Sequence, residues 1–286
     1  MNNIHSANVD HAKFWSSEAG PSWVTFQSAM DQQMQPLLER LLTRAELLPG
    51  HHVLDIGSGT GVSTIRAAAI VGSEGRALGV DISNSMLDHA RLRSEGIDNV
   101  EFYLTDAATH SFEPASFDNM ISRFGVMFFG DSTAAFRNIS AALKPGAQMT
   151  FACWGQILEN PWFYLPAQAA GAILGAPPKP DPDAPGPFAF RDIDRICTML
   201  SDAGLTGIRA VVESVPLTPP GTLEDVAELA TRIGAANTAL THFSGGEDER
   251  IAVQAGIVEA FMPFDTGRGI EIPAEIIVYQ ATVPQA

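Results

Sequence analysis

Three carboxylates and three glycines carry the chemistry that can be read first. Residues 53–61 run V-L-D-I-G-S-G-T-G, so Asp55 sits in an apolar run and Gly57, Gly59 and Gly61 follow at every second position. Asp81 closes the segment R-A-L-G-V-D, and Asp106 follows V-E-F-Y-L-T. Any one of these acids alone reads as a helix cap or a solvated turn residue. Three at successive segment ends, behind a glycine turn, suit a ligand. Glycines lack Cβ atoms and let a ligand approach the main chain. A helix starting after Gly61 presents free N–H groups and a positive dipole end to a carboxylate or phosphate. A carboxylate ending the second segment can accept from a ribose diol, and one ending the third from the exocyclic amine of adenine. The ligand so described has an anion, a ribose and an amino-purine in a row.

These residues need elements to place them. From Val53 the pattern alternates: strands over 53–56, 76–81, 100–105, 117–122 and 148–154, helices over 62–71, 84–94 and 133–143, with Ser83 as a helix cap. Such a rhythm means right-handed crossovers and a parallel sheet with helices on both faces. In an open parallel sheet the ligand lies beyond the carboxyl ends of the strands, where the three acids fall. Residues 10–48 read as helix, broken at Gly20-Pro21. Residues 177–187 hold six prolines and read as a loop. Beyond it come a helix over 192–202, a strand over 208–217, two helices within 222–262 and a last strand over 275–283.

A dinucleotide also has that outline, and the glycine spacing separates the two. The dinucleotide fingerprint G-x-G-x-x-G/A counted from Gly57 needs Gly or Ala at position 62, where Val62 stands. The form here, D-x-G-x-G-x-G, joined to G-V-D at 79–81 and T-D-A at 105–107, resembles the class I S-adenosylmethionine-dependent methyltransferases. F-D-N-M-I-S-R-F-G-V-M-F-F at 117–129 and L-K-P-G-A-Q-M-T-F-A-C-W at 143–154 are similar to the fourth and fifth strands of the branch that contains the ubiquinone/menaquinone-biosynthesis methyltransferases. One departure is Ala147, where a glycine is usual.

The resemblance implies an α/β, Rossmann-like fold: a seven-stranded, mostly parallel sheet with helices on both faces, an antiparallel last strand and helical cap insertions. Residues 1–49 would be an N-terminal helical lid, 50–155 the cofactor-binding core and 156–286 the rest of the same domain, with substrate-capping insertions. It implies S-adenosyl-L-methionine as cofactor, with Asp55 toward its amino group and Gly57, Ser58, Gly59 and Gly61 forming the turn. Asp81 would hold the ribose hydroxyls, Ile82 and Met86 would flank the adenine, and Thr105, Asp106 and Ala107 would meet its edge. Ser122 and Arg123 would lie near the sulfonium end.

A sulfonium methyl is already electrophilic, so in-line transfer needs alignment and exclusion of water more than a nucleophilic triad. No triad is present, and no catalytic base is assigned. His51 and His52 precede the first strand, at its wrong end. His89, His110 and His242 read as ordinary surface histidines. His5 and His11 lie in the N-terminal segment, and His11 is the one best placed for a base by that position. The acceptor site is read from aromatics: Trp15, Trp23 and Phe26 before the sheet, Phe128 and Phe129 after strand four, and Trp154 and Trp162 after strand five. An apolar or aromatic small molecule is the expected acceptor.

The 286 residues carry 17 Lys and Arg against 33 Asp and Glu, a formal net charge of −16. This balance argues against nucleic acid or an anionic membrane surface as partner. Cys153 and Cys197 lack neighbours at metal-ligand spacing and read as buried free thiols; no metal is expected. No secretory signal and no membrane span is visible, and a cytoplasmic location is expected. Two rivals remain at this point, an NAD(P)-dependent oxidoreductase and a catalytically silent relative that keeps the cofactor motifs.

Overall fold

The computed structural model describes residues 13–178 and 181–285. Val53, Leu54 and Ile56 leave no apolar face exposed, so the strand they form, β1 (His52–Ile56), must lie inside a sheet covered on both sides. Its partners are β2 (Arg76–Asp81), β3 (Val100–Leu104), β4 (Phe117–Arg123), β5 (Leu143–Trp154), β6 (Thr206–Leu217) and β7 (Ile272–Thr282). The seven strands run in the order β3-β2-β1-β4-β5-β7-β6. Strands β1 to β5 are mutually parallel, and β7 is antiparallel to both neighbours, β5 and β6. Strand order reverses between β1 and β4, and a crevice opens at their carboxyl ends.

Alternate residues of β1 and β4 feed two separate cores. Val53 and Ile121 pack with Leu38, Leu42 and Ala45 of α3 (Gln35–Ala45) and with Ala67, Ala68 and Val71 of α4 (Val62–Val71). Leu54 and Met120 join the larger core, with Phe136 and Ile139 of α6 (Ser132–Ala142) and Ile196 and Leu200 of α8 (Ile193–Asp202). Helix α5 (Asn84–Arg93) covers β3 through Leu87, Ala90 and Phe102. Above the carboxyl edge, α7 (Pro161–Leu174) packs against α10 (Ala235–His242) and α11 (Glu247–Phe261), and α9 (Leu223–Arg232) joins them.

Several local expectations change. The break expected at Gly20-Pro21 is absent. A π-wound turn, Phe14–Glu18, runs into α1 (Ala19–Thr25), and Pro21 falls near that seam, where the i→i−4 ladder is already interrupted. The chain bends instead at Phe26 and Met34, which flank α2 (Gln27–Gln33). Residues 222–262 form three helices, because Gly234 (φ +97°) separates α9 from α10 and Ser244 (φ +54°) precedes the Gly245-Gly246 turn into α11. Ser83 stands at the N-cap of α5, yet its hydroxyl accepts from no helix N–H and instead donates to the Trp15 carbonyl (2.8 Å). Strand β5 starts at Leu143, ahead of the Lys144-Pro145-Gly146 turn, and its register to β4 shifts between Phe117 and Asn119. Cys153 is buried, Cys197 is only half-buried, and both are free. Among the described residues no helix is long and apolar enough to cross a membrane.

Candidate functional site

The turn after β1 is shaped first by its own packing. Gly57 and Gly61 both have positive φ, +69° and +88°. A Cβ on Gly57 would stand 2.6 Å from the Gly125 Cα, and one on Gly61 would stand 2.7 Å from the Phe102 ring. These two glycines therefore let β1's turn close onto β4's following loop and onto β3. Only at Gly59 is the added carbon free of close contact, its nearest neighbour being the Met86 sulfur at 3.8 Å. Gly57→Ala should lower stability by about 1–3 kcal/mol from backbone strain alone, with Gly125 displaced as well. Urea unfolding checks this, and a midpoint equal to the parent's would contradict the packing account.

The turn is then held by carboxylates. Asp81 Oδ2 accepts from the Gly59 N–H (2.8 Å) and Oδ1 from the Ser83 N–H (2.8 Å), so it ties the glycine turn to the end of β2. Burial raises its pKa, opposed by those N–H groups and that of Ile82. Asp55 is fully buried, and one oxygen accepts from Ser63 Oγ and Thr64 Oγ1 of α4, both at 2.6 Å. Its other oxygen, Oδ1, has no hydrogen-bond partner. Burial pushes its pKa up to about 6 against the pull of the two hydroxyls and of Arg123. Asp106 Oδ1 accepts from the Ala108 N–H (2.9 Å), and Thr105 Oγ1 pairs with His110 Nδ1 (3.0 Å). Asn138 of α6 donates to the Ala107 and His110 carbonyls, both at 2.9 Å, fixing this loop against the sheet.

These groups open into a cavity of about 1100 Å³. Its wall holds Gly57, Ser58, Gly59, Asp81, Ile82, Met86, Thr105, Asp106, Ala107 and Arg123, around the carboxyl ends of β1 to β4. The wall also holds Trp15, Trp23, Phe128 and Trp154. Four singled-out residues stand back from the wall. Asp55 lies behind Ser63, and Gly61 lies under Phe102. Ser122 is fully buried and spans the β1–β4 seam, donating to the Ile56 carbonyl (2.7 Å) and accepting from the Gly125 N–H (3.2 Å). Phe26 faces a separate shallow groove with Pro220 and Leu229. His5 and His11 lie outside the described residues. His242, at the end of α10, lines the cavity.

Other wall residues were not singled out. Gln27, Met30, Asp31 and Met34 lie at helical spacing on one side of α2 and its end, and they cover the β1–β4 crevice. That i, i+3, i+4, i+7 pattern was readable, but nothing local says what it faces. Phe124 has a left-handed backbone (φ +63°) and stacks on Trp154, with centroids 4.1 Å apart and planes 3° off parallel. Phe163 stands edge-on to both Trp154 and Phe188. An aromatic residue in this backbone region is strained, and such strain gathers at binding sites. Ile233, in the α9–α10 break, and Asn237 and Thr238 of α10 also line the cavity. No group of three or more metal-ligating side chains occurs among the described residues.

The residues fit the cofactor that the class uses. Ser58 Oγ, Asp55 Oδ1 and Arg123 Nη1 are buried around the Gly57–Gly59 turn without hydrogen-bond partners, an arrangement that awaits a polar ligand.

Residues 47–174 match the methyltransferase domain family. Aklanonic acid methyltransferase of Streptomyces sp. strain C5 is 34% identical over 118 residues, which are 41% of this chain and 54% of that protein. The ubiquinone/menaquinone biosynthesis C-methyltransferase of Shewanella sp. strain W3-18-1 is 36% identical over 104 residues, 35% of this chain and 41% of that protein. The matched part thus spans about half the length of these curated relatives. Among solved structures, phosphoethanolamine N-methyltransferase 2 of Haemonchus contortus with S-adenosyl-L-methionine superposes with a TM-score of 0.60 at 18% identity, over 99% of this chain and 61% of that one. It shows the shared Rossmann-like fold.

Proposed function

From the match of residues 47–174 to the methyltransferase domain family and the likeness to methyltransferases, we propose that this protein is an S-adenosylmethionine-dependent methyltransferase that transfers a methyl group to a small, largely aromatic organic acceptor. The observation that carries this reading is the single cavity joining the Gly57–Asp81–Asp106 end to the Phe124–Trp154 end. A cofactor spanning the first end would expose its reactive carbon to the second. When bound, S-adenosyl-L-methionine supplies a methyl group on a sulfonium, ready for displacement.

The chain's own part is positional. Asp81 offers a buried carboxylate to a ribose diol, and Ile82 and Met86 offer apolar surface to a purine. Asp106 and the Ala107 N–H meet its edge. The N-terminal segment covers this end, held by the Ser83–Trp15 bond and by Ser16 Oγ on the Ile82 carbonyl (3.3 Å). The stacked Phe124 and Trp154 rings, with Phe163 and Phe188, give a flat acceptor a face to lie against and keep water from the reacting atoms. The relatives' names, an aklanonic acid methyltransferase and a ubiquinone/menaquinone C-methyltransferase, support a small organic acceptor.

Incubation with methyl-labelled cofactor and a small-molecule extract of the host tests this. Label should pass into a small aromatic metabolite. Label retained wholly in the cofactor, despite tight binding of S-adenosylhomocysteine, would leave a binding protein rather than an enzyme. Stabilisation by NAD(H) and not by S-adenosylhomocysteine would point to an oxidoreductase.

A further inference from the structure

The helices above the sheet bring basic groups to the cavity and no acid. The acids on its wall, Asp31, Asp81 and Asp106, lie on α2, at the end of β2 and after β3. From the helices that follow β5 come Arg232, the last residue of α9, and His242, the exposed last residue of α10. The acids of α9 and α11 all stay off this wall. The chain's formal net charge is −16, so its summed field repels an anion, and a neutral acceptor calls for no guanidinium beside it. Arg232 is not used up by its neighbours. Among the described residues its ion pair is with Glu228, one turn back at 3.7 Å, the two side chains being 38% and 52% exposed. Pairs of this kind contribute little. Arg250 of α11 donates to the Thr231 carbonyl (3.4 Å), which fixes the end of α9 that carries Arg232. Gly234 (φ +97°) then turns the chain, and Asn237 of α10 joins the same wall. Asn237 is half-buried, and its side-chain amide has no hydrogen-bond partner among the described residues.

A loosely paired guanidinium and an unpaired amide, on a wall that also holds Trp154, Trp162 and Phe163, fit an aromatic acid: rings for its apolar part and N–H donors for its carboxylate. Resting on the methyl-transfer reading above, we infer that the acceptor is an aromatic carboxylate, gripped through its acid group by Arg232 with Asn237 beside it. The planar fork of Arg232 offers a carboxylate two parallel N–H donors. A phosphate dianion needs a second cation, and Arg250 is off the wall and engaged by Glu247 (3.3 Å). Arg232 is thereby a specificity-determining residue of the cap. It lies outside the stretch 47–174 that matches the methyltransferase domain family.

Calorimetry with two probes that differ only in charge, 2-naphthoate and 2-naphthamide, tests the assignment on the full chain saturated with S-adenosylhomocysteine. The unaltered protein should bind the naphthoate at least tenfold more tightly than the amide. Arg232→Gln should bring the two within twofold of each other while keeping the parent's affinity for S-adenosylhomocysteine, which also reports that it folds. Arg232→Lys should keep part of the preference. Glu228→Gln, which removes the competing carboxylate, should tighten naphthoate binding and leave the amide unchanged. Equal affinity of the unaltered protein for the two probes, or binding of neither, would overturn the inference without need of any variant. So would an Arg232→Gln protein that keeps the preference and loses only stability, which would leave Arg232 as a charge suited to the end of the α9 dipole. If the unaltered protein does not bind S-adenosylhomocysteine, the methyl-transfer reading fails, and titration of the same two probes into the protein alone still judges Arg232 separately.

Discussion

Asp81→Ala lowers affinity for S-adenosylhomocysteine by about 10- to 100-fold. The carboxylate has two tasks. It accepts from the Gly59 and Ser83 N–H groups, holding the glycine turn against β2, and it faces the cavity, where the proposed function puts the ribose diol. Hydrogen bonds to a charged group contribute about 1.5–3 kcal/mol each, and alanine removes them while leaving the N–H groups of Gly59 and Ser83 unpaired. A stability loss of about 1–3 kcal/mol follows from the same vacancy. Asp81→Asn separates the tasks, since its amide oxygen still accepts one of the two N–H bonds while the charge on the ribose side is gone. Titration calorimetry reads the affinity and urea unfolding the stability. An alanine variant with the parent's affinity would remove Asp81 from the ribose site.

The second large effect belongs to Asp55 and depends on pH. Its pKa in the folded protein is about 6, against an ordinary value of 3.8. Between those values the folded chain holds a proton that the unfolded chain has released. Stability from this group therefore falls as pH rises through the window, by about 3 kcal/mol in all. Asp55→Asn keeps an acceptor for Ser63 and Thr64 and has no such titration. The stability difference between the two proteins should swing toward asparagine by about that amount from pH 4 to 7, read from urea midpoints. A difference constant with pH would mean that Asp55 does not titrate in that window. Ligand binding runs the other way. If the cofactor's ammonium sits beside Oδ1, as the resemblance implies, it favours the ionised form, and affinity for S-adenosylhomocysteine should weaken up to tenfold per unit as pH drops below 6. The asparagine variant should bind weakly and lack this dependence. A free-state cost that binding removes is what an unpaired buried carboxylate implies.

The strands and the carboxyl-end placement of Asp81 and Asp106 were legible, because a buried parallel strand writes a short apolar run and its end is marked by a polar residue; the order of the strands in the sheet was not. The reason for the glycines was only partly legible. Gly57 and Gly61 are needed by Gly125 and Phe102, residues distant in sequence whose proximity the chain does not announce. Ser122 illustrates the same limit: its position in the motif was evident, but its hydroxyl braces the β1–β4 seam. Phe26 and Trp23 are three residues apart, and the bend at Phe26, invisible in the pattern, turns one away from the cavity that the other lines. Helix α7 has no counterpart in the sequence reading; Pro161 opens it, where a proline is tolerated. The cap's third helix was missed because Gly234 was not read as a stop.

The placement of β7 has a consequence for synthesis. It is the last strand in chain order, yet it lies between β5 and β6 and bonds to both along most of its length. On a ribosome, β6 emerges with nothing to pair with, and β5 waits with a bare edge, until residues 272–282 arrive. Folding of that half of the sheet is therefore posttranslational in character, whereas β1 to β4 can assemble while the chain still grows. During the wait the open edge of β5 is a template for intermolecular pairing.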